Sequence, residues 1–241
     1  PVFRNSDGST RIAAIWDQTD RSGTQPEGFI YGSEYRDEEI NRALNSMNSH
    51  EIVPTTDEEG HGTFMASVAA GSEIPEKNFV GAAPYCKIAM VKLKQAKEYL
   101  RDFYFINRNA VAYQENDIMA GVWYLNRLAQ ERHMPLVICV GLGTDMGGHT
   151  GVNPLSTMLN GMALRRDHAV VISAGNEGNS RHHFLGEIGA DEYYKNVEIN
   201  VGDRVEGFYA EVWARAPQRF VVDIISPTGE RMPSDYILSG G

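Results

Sequence analysis

The chain has 241 residues, 22 Lys+Arg against 32 Asp+Glu and 42% hydrophobic residues, which places it among globular proteins and outside the disordered and collagen-like classes. At roughly 150 residues per domain its length allows one large or two modest domains, and a formal charge of −10 argues against a phosphate-tracking surface, so nucleic acid is not the expected partner. No apolar run reaches the about 18 residues needed to span a bilayer, and no basic, then apolar, then small-residue segment opens the chain as a signal peptide would.

Residues 12 to 16 (Ile-Ala-Ala-Ile-Trp) form a short apolar run ending at Asp17, the pattern of a strand buried on both faces. After the acidic Asp37-Glu38-Glu39, the positions Ile40, Ala43 and Leu44 mark a short helix, and Gly60-His61-Gly62 opens a helix of small residues that runs to Gly71. Small residues let a backbone approach its neighbours, so that helix is expected to be central and to hold His61 rigidly. Ile88 to Leu93 reads as a second strand. Asn116 or Asp117 can cap a helix in which Ile118, Val122, Leu125 and Leu128 or Ala129 recur at the helical period, ending near Arg132 before Pro135.

Leu136 to Leu142 is the third strand-like run, and Asn153-Pro154 supplies a cap and first-turn proline for a helix with Leu155, Met158, Leu159 and Met162 on one face, through about Arg166. Ala169 to Ala174 is the fourth run, closing at Gly175-Asn176. Cys86 and Cys139 both sit in apolar runs and are expected to be buried free thiols, which favours a reducing compartment.

From about residue 194 the rhythm changes. Phe208, Ala210, Val212 and Ala214 alternate with Tyr209, Glu211, Trp213 and Arg215, and the run Phe220 to Ile225 leads to the turn signal Ser226-Pro-Thr-Gly. The expected fold is therefore α/β, a parallel sheet with helices on both faces, followed by the start of an antiparallel β module. The domains are expected at 1–190 and 191–241, with the boundary between Asn179 and Val197.

In open parallel sheets the ligand site lies outside the carboxyl ends of the strands. Asp17, Gly141-Leu142-Gly143 and Asn176 occupy such positions, and His61 stands at the start of its own helix. The glycines of 141 to 143 would leave main-chain groups open to pair with an extended peptide, or would simply make a turn. Tyr99, Phe103, Tyr104 and Phe105 follow the second strand, where they line a pocket or pack in the core. A metal reading competes for Asp57 and His61, four apart, and for Asp145, His149, His182 and His183, but Gly60-His61-Gly62 interrupts the helix that such spacing needs. No transition metal is expected, and Asp57-Glu58-Glu59 reads as a solvated loop.

Three blocks carry a resemblance: Ile-Trp-Asp17-Gln-Thr, Gly-His61-Gly-Thr-Phe-Met-Ala-Ser-Val-Ala-Ala-Gly and Val-Ile-Ser-Ala-Gly-Asn176-Glu-Gly, in that order. Residues 12 to about 178 resemble the subtilisin-like serine proteases, the subtilases of peptidase family S8. The resemblance implies a subtilisin-like sheet and a serine endopeptidase working by acyl transfer. It implies Asp17 and His61 as the first two triad members, Asn176 as the oxyanion donor, and Gly141, Leu142 and Gly143 as the strand that lines the substrate. A serine hydroxyl needs a neutral imidazole to take its proton, the imidazole needs a carboxylate to fix its tautomer, and the tetrahedral oxyanion needs a donor.

Two positions depart from the family pattern: Thr19 stands where Gly usually follows the triad Asp, and Ala66-Ser67 replaces Ala-Gly. No Gly-Thr-Ser-Met-Ala block occurs through Gly241, and Ser173, Ser180, Ser226, Ser234 and Ser239 lack its context. The expectation is a truncated chain, inactive alone, cut before the nucleophile. Strands inserted between the Asn and the missing Ser, with the Trp-Asp-Gln-Thr block, are similar to the clostridial germination-protease (Csp) branch, and imply a jelly-roll-like module and a spore-associated or secreted protein. Peptide or protein substrates are the expected partners, together with a propeptide and no membrane span. No cofactor is expected; structural Ca²⁺ is known in the family, but no carboxylate cluster here is specific enough to assign it. The alternative is a pseudoprotease or binding scaffold; a third reading makes Tyr209 and Trp213 part of a carbohydrate-binding module.

Overall fold

The computed structural model describes residues 2–215, 217–233 and 237–238; Ser234 and Ser239 lie outside them. Compactness divides the chain into two units, residues 1–144 with 154–182, and residues 145–153 with 183–241. In the first, β1 (Ile12–Asp17) is the middle strand of three, with β3 (Ile88–Lys92) parallel on one side and β2 (Ser33–Arg36) antiparallel on the other. A second ladder pairs β4 (Leu136–Val140) with β5 (His168–Ile172) in parallel. All four apolar runs are therefore strands, in two parallel pairings. β2 has no such run: four residues, of which only Ser33 and Tyr35 turn inward, give too little pattern to read.

Helices α1 (Asp37–Leu44), α2 (Ser49–Ile52), α3 (His61–Ala70), α4 (Glu98–Phe103), α5 (Glu115–Glu131) and α6 (Pro154–Ala163) complete the unit. Helix α5 begins slightly before the expected cap: Gln114 is the N-cap, and Asp117 is buried in the first turn. Its C-terminus ends without glycine. His133 takes the left-handed conformation (φ 51°), the His133 N–H donates to the Gln130 carbonyl at 3.1 Å and the Met134 N–H to the Ala129 carbonyl at 3.0 Å, a Schellman closure just before Pro135.

Two sides of α5 supply two cores. Tyr124 and Leu128 pack with Ala14 and Trp16 of β1, against Phe29, Tyr31, Ala89 and Val91. Trp16 is fully buried, its ring 4.4 Å from Phe29 and 5.3 Å from both Tyr31 and Tyr124. Val122 packs with Ile138, Leu159 and Met162, joining β4 and α6. Leu125 touches both clusters.

Two expectations fail on burial. Helix α3 was expected to be central, yet only Ala70 is buried, and Phe64 and Val68 face outward. The face of β4 and β5 opposite the core leaves Val137, Cys139 and Val171 exposed, so Cys139 is an exposed thiol and Cys86 a half-buried one. An apolar run makes a strand, but burial needs a layer on each face, and among the described residues no layer covers this one.

In the second unit, β6 (Arg219–Phe220) pairs with β9 (Ile237–Leu238), and β7 (Asp223–Ile225) with β8 (Arg231–Pro233), both antiparallel. The β7–β8 turn falls at the expected Ser226-Pro227-Thr228-Gly229, closed by the Gly229 N–H donating to the Ser226 carbonyl at 2.9 Å. Residues 208–215 form no ladder despite their alternation. A strand needs a neighbouring strand for its main-chain hydrogen bonds, and no ladder among the described residues includes these.

Candidate active site

Asp17 closes β1, and its side chain is 2% exposed. One carboxylate oxygen, Oδ1, accepts from the Thr19 N–H (2.8 Å), the Thr19 hydroxyl (2.6 Å) and the Asp20 N–H (3.3 Å), all within the turn that follows the strand. The other, Oδ2, accepts from the Thr55 hydroxyl at 2.7 Å, with Lys92 Nζ 3.8 Å away. Lys92 also lies 3.7 Å from Glu58. Thr19, the departure from the family glycine, thus adds a hydroxyl donor to the carboxylate.

His61 is the first residue of α3. The preceding Gly60 has φ 77°, a left-handed cap that a side chain would strain. Asp57 ties this start together: its Oδ1 accepts from the Gly60 N–H at 2.8 Å, and its Oδ2 from the Thr63 N–H at 2.8 Å and hydroxyl at 2.6 Å. The Thr63 hydroxyl bond, then the main-chain N–H bonds, hold the Asp57 carboxyl below the usual carboxylate range. Gly60 is the N-cap, and Asp57, three residues before it, accepts the Thr63 N–H of the first turn as a capping side chain would. Nearby, burial first, then the charges of Glu59 and Asp57, raise the Tyr113 phenol.

The His61 Nε2 atom lies 3.1 Å from the carbonyl oxygen of Gly141, the first residue after β4. A carbonyl only accepts, so Nε2 carries the hydrogen in this contact. A side chain at 141 would crowd that ring, since a Cβ there would sit 3.4 Å from Nε2 and 3.2 Å from Met65 Cε. Leu142 offers its carbonyl to the Ser173 hydroxyl at 3.3 Å, and the space around Gly143 is open. Asn176 follows β5 through Gly175 (φ 83°) and starts the short 3₁₀ turn Glu177–Asn179, exposed to solvent.

The predicted residues thus sit at strand ends and a helix start of one unit, and the stretch from Thr55 to His61 joins two of them. Thr55 binds Asp17 at the end of β1, and His61 binds Gly141 after β4. No hydrogen bond joins Asp17 to His61: the carboxylate is held by Thr19, Asp20, Thr55 and Lys92, and the ring by Gly141. Thr55, Lys92 and Gln18 escaped the sequence reading because their partners are remote in the chain. Asp57 carried a signal in its spacing to Gly60 and Thr63.

The subtilase family matches residues 22–203, most of the chain, so this protein belongs to the subtilase family. His61, Gly141 to Gly143 and Asn176 lie inside the matched stretch, and Asp17 lies before it. Among solved structures the chain is similar to the Clostridium perfringens CspB protease, 28% identical with a TM-score of 0.71, over 96% of this chain and 45% of that one. The chain thus spans less than half the length of that protease. No curated protein matches it.

Proposed function

We propose that the protein containing this segment is a serine endopeptidase in which Asp17 orients His61, His61 is the general base, and Asn176 donates its side-chain N–H to the oxyanion. The nucleophilic serine is supplied by chain beyond Gly241. An extended peptide substrate pairs along Gly141, Leu142 and Gly143. The observation that supports this reading is that one short stretch reaches both places: Thr55 donates to Asp17 at the end of β1, and His61, six residues on, meets the Gly141 carbonyl just after β4.

The arrangement also defines what must change for turnover. As a base, His61 needs a bare Nε2 aimed at the hydroxyl, whereas here Nε2–H donates to Gly141. A turn of the ring about its Cβ–Cγ bond, with loss of the Nε2 proton to solvent and uptake of one at Nδ1, leaves Nε2 bare and lets Nδ1–H turn toward the Asp17 carboxylate, which has one oxygen, Oδ2, with a single hydrogen bond. Attack then forms the Ser–C bond as the hydroxyl proton passes to Nε2. Collapse breaks the C–N bond as that proton passes to the leaving amine.

In the same reading the two ladders belong to one parallel sheet covered on both faces, and residues 191–241 begin an inserted jelly-roll-like module after a catalytic part at 1–190. The chemistry needs no cofactor, a propeptide is a candidate partner beside the peptide substrate, and the protein is spore-associated or secreted. Labelling the full-length protein with a serine-directed phosphonate should modify one serine downstream of residue 241. His61→Ala should abolish labelling and peptide hydrolysis with the fold retained. Asn176→Ala should lower kcat by about 10²-fold, the loss typical of removing one oxyanion donor, with a smaller change in KM. Undiminished turnover in His61→Ala would refute the assignment.

A further inference from the structure

Behind Asp17 lies a buried polar web that the proposed chemistry leaves unused. Gln18, the next residue, is 4% exposed, and its side chain spans two elements. Its Nε2 donates to the Asp117 main-chain carbonyl in the first turn of α5 at 3.0 Å, and its Oε1 accepts the Lys94 N–H, just past β3, at 3.2 Å. Its own N–H donates to the Lys92 carbonyl at 2.9 Å. One amide therefore ties the exit of β1 to the exit of β3 and to α5.

The anchor on the α5 side is itself secured. The Asp117 carboxylate, 2% exposed, takes the Lys94 ammonium and the Tyr31 hydroxyl (3.0 Å) on Oδ1, and Lys94 Nζ sits 3.8 Å from the Tyr31 ring centroid. Burial, then the Asp117 bond and charge, raise the Tyr31 phenol, which stays a neutral donor. Asp117 Oδ2 is buried without a hydrogen-bond partner, so the carboxylate depends on Lys94 and Tyr31 for compensation.

We infer that Gln18 is a positioning residue for the Asp17 carboxylate, acting by clamping the turn 17–20 between β3 and α5. The turn supplies all three donors to Asp17 Oδ1, the Thr19 N–H, the Thr19 hydroxyl and the Asp20 N–H, so fixing its backbone fixes the direction of the carboxylate. The main-chain bond from residue 18 to Lys92 needs no particular side chain. The buried amide adds the two bonds that hold the turn against the helix. This assignment rests on the serine-peptidase reading for its consequence in catalysis, but not for its geometry.

The test uses Gln18→Met in the full-length protein, which keeps length and apolar bulk and removes both amide bonds. kcat should fall by about tenfold with KM changed less than about twofold, and in an Asp17→Asn background the same substitution should have no further effect on kcat, because residues that act as a unit are non-additive. Equal losses in both backgrounds, or none in either, would overturn the role. Hydrogen exchange supplies a readout independent of turnover: the Thr19 and Asp20 amides should exchange about tenfold faster in Gln18→Met while the amides of the β1–β3 ladder keep their protection. Unchanged exchange at both amides would overturn the clamp. Faster exchange combined with an inert Asp17→Asn substitution would retain the clamp and refute the triad reading alone.

Discussion

Thr55→Val is the most direct probe of how Asp17 is held, because valine copies the shape of threonine and deletes only the hydroxyl. That hydroxyl donates to Asp17 Oδ2 at 2.7 Å, and the other group near this oxygen, Lys92 Nζ, stands at 3.8 Å. A hydrogen bond to an ionised group contributes about 1.5–3 kcal/mol. Thr55 is half-buried, so water entering from the outer side offsets part of the loss and places the expected cost near the low end, about 1.5 kcal/mol. For a chain of this size that corresponds to a fall in Tm of about 3–6 °C. Urea unfolding followed by the fluorescence of Trp16, buried two residues upstream of Gln18, measures it, with the m-value expected to stay constant. On the serine-peptidase reading the same loss would lower kcat/KM of the full-length protein by about tenfold if it is felt in the transition state. A stability change within about 0.5 kcal/mol, the range of an inconsequential surface substitution, would refute the reasoning and leave Lys92 as the holder of Oδ2.

Asp57→Ala should cost about 1 kcal/mol through loss of its hydrogen bonds to Gly60 and Thr63 at the start of α3. The Asp57 carboxyl is lowered in the folded protein, so its contribution is present above the unfolded value of about 3.9 and disappears as pH falls through the folded one. The difference in Tm between wild type and Asp57→Ala should therefore shrink on acidification below pH about 4, and a difference independent of pH would sink the charge argument. Trp16→Ala, which empties a fully buried site among three aromatic rings, should destabilise by about 3–5 kcal/mol in urea unfolding followed by far-UV circular dichroism; a cost under about 1.5 kcal/mol would mean that the site collapses. In chain 1–241, iodoacetamide should alkylate Cys139 faster than Cys86, as peptide mapping would record, and the reverse order would contradict the exposed face of β4.

The runs Ile12 to Trp16 and Leu136 to Val140 were legible as strands because both are apolar at successive positions, although only the first is largely buried. The helical faces of α5 and α6 were legible from period alone. β2 was not, since its pairing partner and not its own composition makes it a strand. The same distinction runs through the site. Asp17, His61 and Asn176 stand in blocks of local pattern, whereas Thr55 reaches Asp17 across 38 residues and Gln18 reaches Asp117 across 99, distances over which no spacing rule operates. Residues 208–215 show the opposite error: alternation gave the text of a strand to a segment that has no ladder. The exposure of Cys139 is of the same kind, because hydrophobicity states a preference for burial and the cover must come from elsewhere.

Helix α5 places Tyr124 and Leu128 in one core, Val122 in the other and Leu125 in both. The two ladders consequently cannot open one at a time at the expense of their own contacts alone. Any excursion that lifts α5 strips the apolar backing of β1 and of β4 together, and with it the Asp117 anchor behind the exit of β1. The first unit should therefore breathe as a single cooperative block, so that Asp17 and the Gly141 segment keep or lose their shape in concert.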